Sequence, residues 1–194
     1  AVLFVGASKP VRLIANFLKE KGKRVILIDS NKSFIQEALD SDIEAFKVDV
    51  YDDELANNIE LNDVGYLIAL TGSDQVNMHA LNKFSENFGE QGAYKLASSK
   101  EITEASDSDR ESFFTPHDDY INLSEAYREN PIINKVNISN QKEYNSLLEV
   151  LSKEEKSIPL FVENKQGIYL LPEFEKNKFA KEDITLFYLG KVVN

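Results

Sequence analysis

The stretch AVLFVGASKPVRLIANFLKEKGKRVILIDS, Ala1–Ser30, decides how the rest of the chain is read. An apolar strand runs into a turn at Gly6, an amphipathic helix follows, and a second apolar strand ends in Asp29. That order is the first half of a dinucleotide-binding βαβ unit, in which a helix N-terminus meets phosphate and the acid after the second strand meets ribose hydroxyls. The glycine fingerprint of such units, G-x-G-x-x-G, falls here on Gly6, Ser8 and Val11. Gly6 keeps the tight turn. Ser8 is small and carries a hydroxyl donor, whereas Val11 adds a branched side chain where helix and strand should lie closest. Pro10 suits a first helical turn, because its missing N–H would have been unpaired there, but it withdraws one donor from a phosphate. Asp29 lies 18 positions after Val11, near the roughly 20 expected of the ribose-binding acid. The alternative is a nucleotide-binding fold that has lost its ligand.

A chain of 194 residues, 42% of them hydrophobic, can bury a substantial core, and its length fits one domain plus a small appendage. It has no cysteine, which excludes a disulfide framework and any cysteine-ligated zinc or iron–sulfur centre. No apolar run approaches the roughly 18 residues that a membrane span needs, and no signal peptide is visible, so a soluble chain is expected. A net charge of −11 without a basic cluster repels phosphate backbones and argues against nucleic acid as a partner. The chain opens at Ala1, without Met and already inside an apolar strand. It reads as a piece of a longer protein.

Strand and helix continue to alternate after Asp29. Asn31–Asp40 reads as a short helix with Phe34, Ile35 and Leu39 as its apolar stripe, Glu44–Val50 as a third strand, and Asp52–Ile59 as a helix with acids in its first turn. YLIAL, Tyr66–Leu70, is a continuous apolar run of the kind buried on both faces of a parallel sheet. Ser73 or Asp74 caps the next helix, which reaches about Phe88, and Ala93–Ala97 is a less apolar fifth strand expected near an edge. The fold class expected is α/β, a Rossmann-like, doubly wound parallel sheet over residues 1–110, followed by a smaller α+β C-terminal subdomain over residues 111–194. Between Ser98 and Asp119 the pattern gives way to charged and small residues, either a polar helix and a turn or an interdomain connection. Beyond it, Ile132–Ile138 reads as a strand, Lys142–Leu151 as a helix, IPLFVEN and GIYLLPEF as two strands around a turn at Asn164–Gly167, and DITLFYLG as a last strand.

Residues that could carry chemistry are sparse. His79 falls in the helix after the fourth strand, where a structural or surface role is the ordinary one for a lone histidine. His117, beside Asp118 and Asp119, offers at most a weak metal site, and a solvated turn is the simpler reading. Neither a G-x-S-x-G elbow nor an H-E-x-x-H zinc motif is present, so no catalysis and no metal are expected.

The segment YLIALTGSDQVNMHALNKFSENFGEQGAYKLA, Tyr66–Ala97, together with Gly6–Ile14, Asp29 and Val48–Asp49, resembles in order and spacing the RCK (KTN, TrkA-N-like) family of regulatory nucleotide-binding domains. Within it, the chain looks most like the cytosolic tail of a bacterial monovalent cation/proton antiporter, and KEDITLFYLG loosely echoes the end of such tails. The resemblance implies a phosphate loop at Gly6, Ala7, Ser8, Lys9 and Pro10, with Lys9 where the family often has a basic residue. It implies Asp29 and Ser30 at the ribose, Asp49 and Val50 beside the adenine, and Leu70, Thr71 and Asn77 along the crevice. Ser30 could instead only cap the following helix, and Asn77 could only bond a neighbouring loop. The cofactor implied is an adenine nucleotide, AMP, ADP or NAD.

The function expected from this resemblance is that of a non-enzymatic, nucleotide-sensing regulatory domain of a K+ or Na+/proton antiporter or K+ transport system. Its expected partners are a membrane-embedded transport domain, of the same or an associated polypeptide, and a second copy in a homodimer. Its expected place is the cytoplasmic face of the membrane, and SIPLFV is a candidate contributor to the paired surface. A small NAD-dependent oxidoreductase is the alternative, for which His79 is the sole proton-donor candidate, and a purely structural tail is a third.

Overall fold

The computed structural model describes residues 1–52, 59, 63–84, 92–95, 119–154 and 156–193, and divides the chain into two compact units, Ala1–Leu96 and Ala97–Asn194. The helix expected at Asp52–Ile59, the polar segment from Ser98 and His117 lie outside the described residues, Asp52 and Ile59 apart.

The first unit is built on a five-stranded sheet. Strand β1 (Val2–Val5) is buried throughout and pairs in parallel with β2 (Val25–Asp29) on one side and β4 (Tyr66–Ala69) on the other. Strand β3 (Glu44–Lys47) lies outside β2, and β5 (Ala93–Lys95) lies outside β4, at an edge as its weaker apolarity suggests. The order β3-β2-β1-β4-β5 reverses direction between β1 and β4, the switch point at which ligands bind in doubly wound sheets. The Rossmann-like expectation holds.

Helix α1 (Lys9–Glu20) follows β1 and buries Val11, Ile14, Ala15 and Leu18 at helical spacing. It stops at Gly22, whose φ of +78° suits a residue without a Cβ. The bonds Gly22 N–H to Lys19 C=O and Lys23 N–H to Leu18 C=O complete a Schellman termination. Helix α2 (Lys32–Asp40) is capped by Asn31, whose Oδ1 accepts from the N–H groups of Ser33 and Phe34, so the cap is Asn31 and not Ser30. The expected stripe is corrected in part. Ile35 and Ala38 are the buried contacts, and Leu39, 100° further round than Ala38, is 47% exposed. Strand β3 ends at Lys47 rather than Val50, because the chain turns at once: Asp52 N–H returns to Asp49 C=O at 3.0 Å. Helix α3 (Asp74–Phe84) starts at Ser73, whose Oγ accepts from Val76 N–H at 3.3 Å. Leu3, Val5, Ile26, Ile28, Leu67 and Ala69 pack on one side of the sheet against Ala80 and Phe84 of that helix.

The second unit carries an antiparallel sheet of order β6-β9-β7-β8, formed by β6 (Ile133–Ile138), β7 (Ser157–Asn164), β8 (Gly167–Leu170) and β9 (Ile184–Gly190). Helix α4 (Tyr120–Glu129), which the composition did not disclose, is capped by Asp119 through Asn122 N–H at 2.9 Å. Helix α5 (Gln141–Lys153) is capped by Asn140 through Glu143 N–H at 3.0 Å. The strand expected across GIYLLPEF is half helix. The chain leaves the ladder at Leu170 and forms α6 (Leu171–Lys176), with Pro172 in its first turn, where a missing N–H is harmless in a helix but would break a ladder. SIPLFV, expected at a paired surface, is fully buried in the interior strand β7 of this unit's own sheet. The adjoining core gathers Tyr144, Leu151, Val162, Phe174, Leu186 and Tyr188.

Candidate functional site

Gly6 is the first residue beyond β1 and has a φ of +112°. A Cβ there would stand 2.8 Å from the carbonyl oxygen of Leu70 and 3.3 Å from the Thr71 methyl group. Glycine is therefore demanded twice, by its dihedral and by the close approach of the backbone after β4. Gly6 N–H donates to Ile28 C=O at 2.8 Å, which draws the turn over the end of β2.

The turn is then fixed by polar contacts on two sides. Ala7 N–H donates to Asp29 Oδ2 at 2.8 Å, and Asn31 N–H donates to Asp29 Oδ1 at 2.8 Å. Asp29 thus ties the β1–α1 turn to the β2–α2 turn. Each of its oxygens still has a second lone pair that can accept from a ribose hydroxyl. On the other side, Arg12 Nη1 donates to Ala7 C=O at 2.6 Å, while Nη2 pairs with Glu37 of α2. The guanidinium carbon also lies 5.9 Å from the centroid of Phe34. Arg12 escaped the sequence reading. The signal was a lone cation inside VRLIA, a run buried on almost every side.

Ser8 occupies the N-cap position of α1 with extended backbone (φ −64°, ψ 166°), yet its side chain makes no capping bond. It is 9% exposed, and its Oγ is buried with no hydrogen-bond partner. The first intrahelical bond runs from Arg12 N–H to Ser8 C=O at 2.9 Å. The N–H groups of Lys9 and Val11 precede it, and Pro10 has none. Lys9 is exposed and Pro10 buried. An unpartnered hydroxyl thus lies at the positive end of the α1 dipole, an end that favours negative charge.

On the far side of the switch point the chain satisfies itself. Asn77 of α3 is 3% exposed. Its Oδ1 accepts from Thr71 N–H at 3.0 Å and faces Thr71 Oγ1 at 2.7 Å, and its Nδ2 donates to Thr71 C=O at 3.0 Å. Ser73 N–H completes the set by donating to Thr71 Oγ1 at 3.2 Å. Leu70 is fully buried and bonds Val5 C=O through its N–H at 2.9 Å. Asn77 is thus bonded to a neighbouring loop.

Beyond β3, Val48 N–H donates to Asp29 C=O at 3.0 Å, Asp49 is exposed, and Val50 is buried in the core that faces α3. Lys83 of α3 holds this loop by donating to Val50 C=O at 3.2 Å and Asp52 C=O at 2.6 Å. His79, one turn earlier, packs against Tyr51 in a tilted contact with ring centroids 4.4 Å apart. Lys95, buried at the end of β5, lies 3.4 Å from Asp74 Oδ1. The structure therefore brings Ala7 and Asp29 into direct contact between Gly6 and Ser8, and sets Gly6 against Leu70 and Thr71 across the switch point, where Asn77 is bonded to Thr71. Ser30 is exposed beside Asp29, and Val50 contributes to packing. No group of three or more metal-ligating side chains occurs among the described residues. No described helix is long and apolar enough to cross a membrane.

A parallel sheet with a glycine turn, a helix N-terminus and an acid at the adjacent strand end defines the class: a Rossmann-like α/β fold. The TrkA-N domain family matches residues 2–114, and the chain belongs to that family. Comparison with curated proteins returns no match. Among solved structures, the chain is similar to the NAD(P)-binding domain of an exopolyphosphatase-related protein from Archaeoglobus fulgidus, at 20% identity and a TM-score of 0.46 over 53% of this chain and 77% of that one. It is similar also to the GsuK RCK domain, at 13% identity and a TM-score of 0.48 over 98% of this chain and 43% of that one. A third is N5-carboxyaminoimidazole ribonucleotide synthetase from Thermus thermophilus, at 11% identity and a TM-score of 0.40 over 100% and 47%. The chain spans less than half the length of the last two.

Proposed function

We propose that this chain is a regulatory, nucleotide-sensing domain of a K+ or other monovalent cation transport system, without catalysis of its own. Membership of the TrkA-N family supports the class. The observation that carries the ligand is the buried, unpartnered Ser8 hydroxyl at the start of α1, beside a turn that Asp29 already holds closed. An adenine nucleotide places its phosphate at Ser8 and the N–H groups of Lys9 and Val11, and its ribose at Asp29. Because Pro10 withdraws a donor and Val11 fills the position of the third glycine, a mononucleotide asks less of this loop than a pyrophosphate does. AMP or ADP therefore binds at least as well as NAD. A 2′-phosphate would meet the Asp29 carboxylate as a like charge, so NADP binds worse than NAD.

The signal would pass from the paired turns to a membrane-embedded transport unit at the cytoplasmic face, through a homodimer. A coupling of about 1–3 kcal/mol suffices for such regulation. Support for a non-enzymatic role comes from His79, the one proton-donor candidate, whose ring packs on Tyr51. Calorimetry of the chain with AMP, ADP, NAD and NADP tests the ligand. Binding in the order AMP or ADP at or above NAD, with NADP weakest, is expected. Equal affinity for NAD and NADP would remove Asp29 from the site, and NADH turnover with a small carbonyl substrate, lost on His79→Ala, would make the chain an oxidoreductase.

A further inference from the structure

Arg12 stands where a cation is least expected. It lies near the start of α1, whose N-cap is Ser8, and positive charge beside the positive end of a helix dipole is unfavourable. The residue is nevertheless 9% exposed, with its guanidinium folded back onto the turn. Nη1 donates to Ala7 C=O at 2.6 Å, Nη2 pairs with Glu37, and Phe34 lies alongside. The carbonyl that Arg12 holds belongs to the peptide whose N–H is that of Ser8. Donation from a cation to the oxygen polarises the peptide unit, so its N–H becomes a stronger donor next to the buried Ser8 hydroxyl.

Charge matters as much as polarisation. The chain carries a net −11, and Asp29 accepts from the neighbouring N–H, that of Ala7, so an anion entering this turn meets negative charge. Lys9 is exposed and its charge is screened by water and salt. Arg12 is the cation that the fold holds out of solvent against the turn, and Glu37, 44% exposed, cancels part of it. We propose that Arg12 tunes this turn for an anion: it is a positioning residue that fixes and polarises the Ala7–Ser8 peptide and supplies positive potential, and Glu37 limits the affinity that results. This rests on the nucleotide-sensing role proposed above.

The test is calorimetry with AMP at fixed ionic strength on the unsubstituted chain and on Arg12→Met, Glu37→Gln and Glu20→Gln. Arg12→Met should weaken AMP binding roughly 2- to 30-fold, the span of charge effects at a helix end. Glu37→Gln keeps an oxygen that accepts from Nη2 and removes only the charge, so AMP should bind roughly 2- to 5-fold more tightly. Glu20→Gln makes the same change in net charge at the exposed far end of α1, roughly 16 Å away and beyond a Debye length of about 8 Å. It should leave AMP binding unchanged. AMP affinity unaltered by Arg12→Met overturns the tuning role and leaves the nucleotide site standing. Binding by Glu37→Gln equal to or weaker than that of the parent makes Arg12 a brace of the turn and also overturns it. An equal gain in Glu20→Gln assigns the effect to net charge, with the same consequence. Should Arg12→Met fail to fold, the sign of the Glu37→Gln change decides alone. Absence of AMP binding to the unsubstituted chain overturns the tuning role and the nucleotide site together.

Discussion

The turns after β1 and after β4 meet at Gly6 and Leu70, yet they are finished in opposite ways. The β4 turn is closed locally: Asn77, six residues on, answers the N–H, the C=O and the hydroxyl of Thr71. The β1 turn is closed from a distance, by Asp29 from β2 and by Arg12 braced on Glu37 of α2, and it leaves the Ser8 hydroxyl buried and unanswered. A buried polar group is normally satisfied, and one that is not carries a cost of about 1–3 kcal/mol. One turn is thus satisfied by its own side chains, and the other keeps one buried hydroxyl without a hydrogen-bond partner.

The contact point itself gives the largest expected effect. Gly6→Ala must adopt a φ that L side chains avoid and push its Cβ against the Leu70 carbonyl, so it should lose about 3 kcal/mol or more in urea unfolding. A loss below about 1 kcal/mol would show that the two turns do not press on each other. Asn77→Ala should lose about 2–3 kcal/mol, because truncating one side chain takes the partner from both the N–H and the C=O of half-buried Thr71. It should do so whether or not nucleotide is present, and a stability loss that nucleotide repairs would break the contrast between the turns.

Arg12→Met keeps apolar bulk but abandons Ala7 C=O. About 1–2 kcal/mol should be lost, with Glu37→Gln costing less because that carboxylate is 44% exposed. A larger loss from Glu37→Gln would make the ion pair, and not the loop contact, the purpose of Arg12. Ser8→Ala is the smallest in size and the most telling in sign. Removing a buried hydroxyl that has no partner should leave the unliganded chain unchanged or up to about 1 kcal/mol more stable, while nucleotide binding weakens. Destabilisation comparable to that of Asn77→Ala would mean that Ser8 is a structural cap and that the two turns are alike.

Much of this site is visible in the linear order of residues. A strand–glycine–helix–strand–acid series predicts that Gly6 and Asp29 converge, because a parallel βαβ unit has one hand and places both at the same edge of the sheet. Spacing cannot show what each group bonds to once there. Asp29 reads as a ribose acceptor, and the fold gives each of its oxygens a backbone N–H as well. Val50 reads as part of the adenine crevice, and the early turn after Lys47 sends its side chain into the core. In the C-terminal unit, SIPLFV has the composition of an interface and becomes the interior strand of its own sheet. Only neighbouring strands can distinguish these two uses of an apolar run.

What the sequence determined by itself is the parallel sheet, its switch point and the residues that end its strands, because periodicity, glycine and helix caps act within a few residues of one another. What only the tertiary structure decided is which of those residues are already satisfied. Arg12 reaches Glu37 across 25 positions and Ala7 reaches Asp29 across 22, and no local propensity encodes such pairs. Hydrogen-bond valence is filled in three dimensions, so which side chain is left without a partner, as the Ser8 hydroxyl is, shows only in the folded chain.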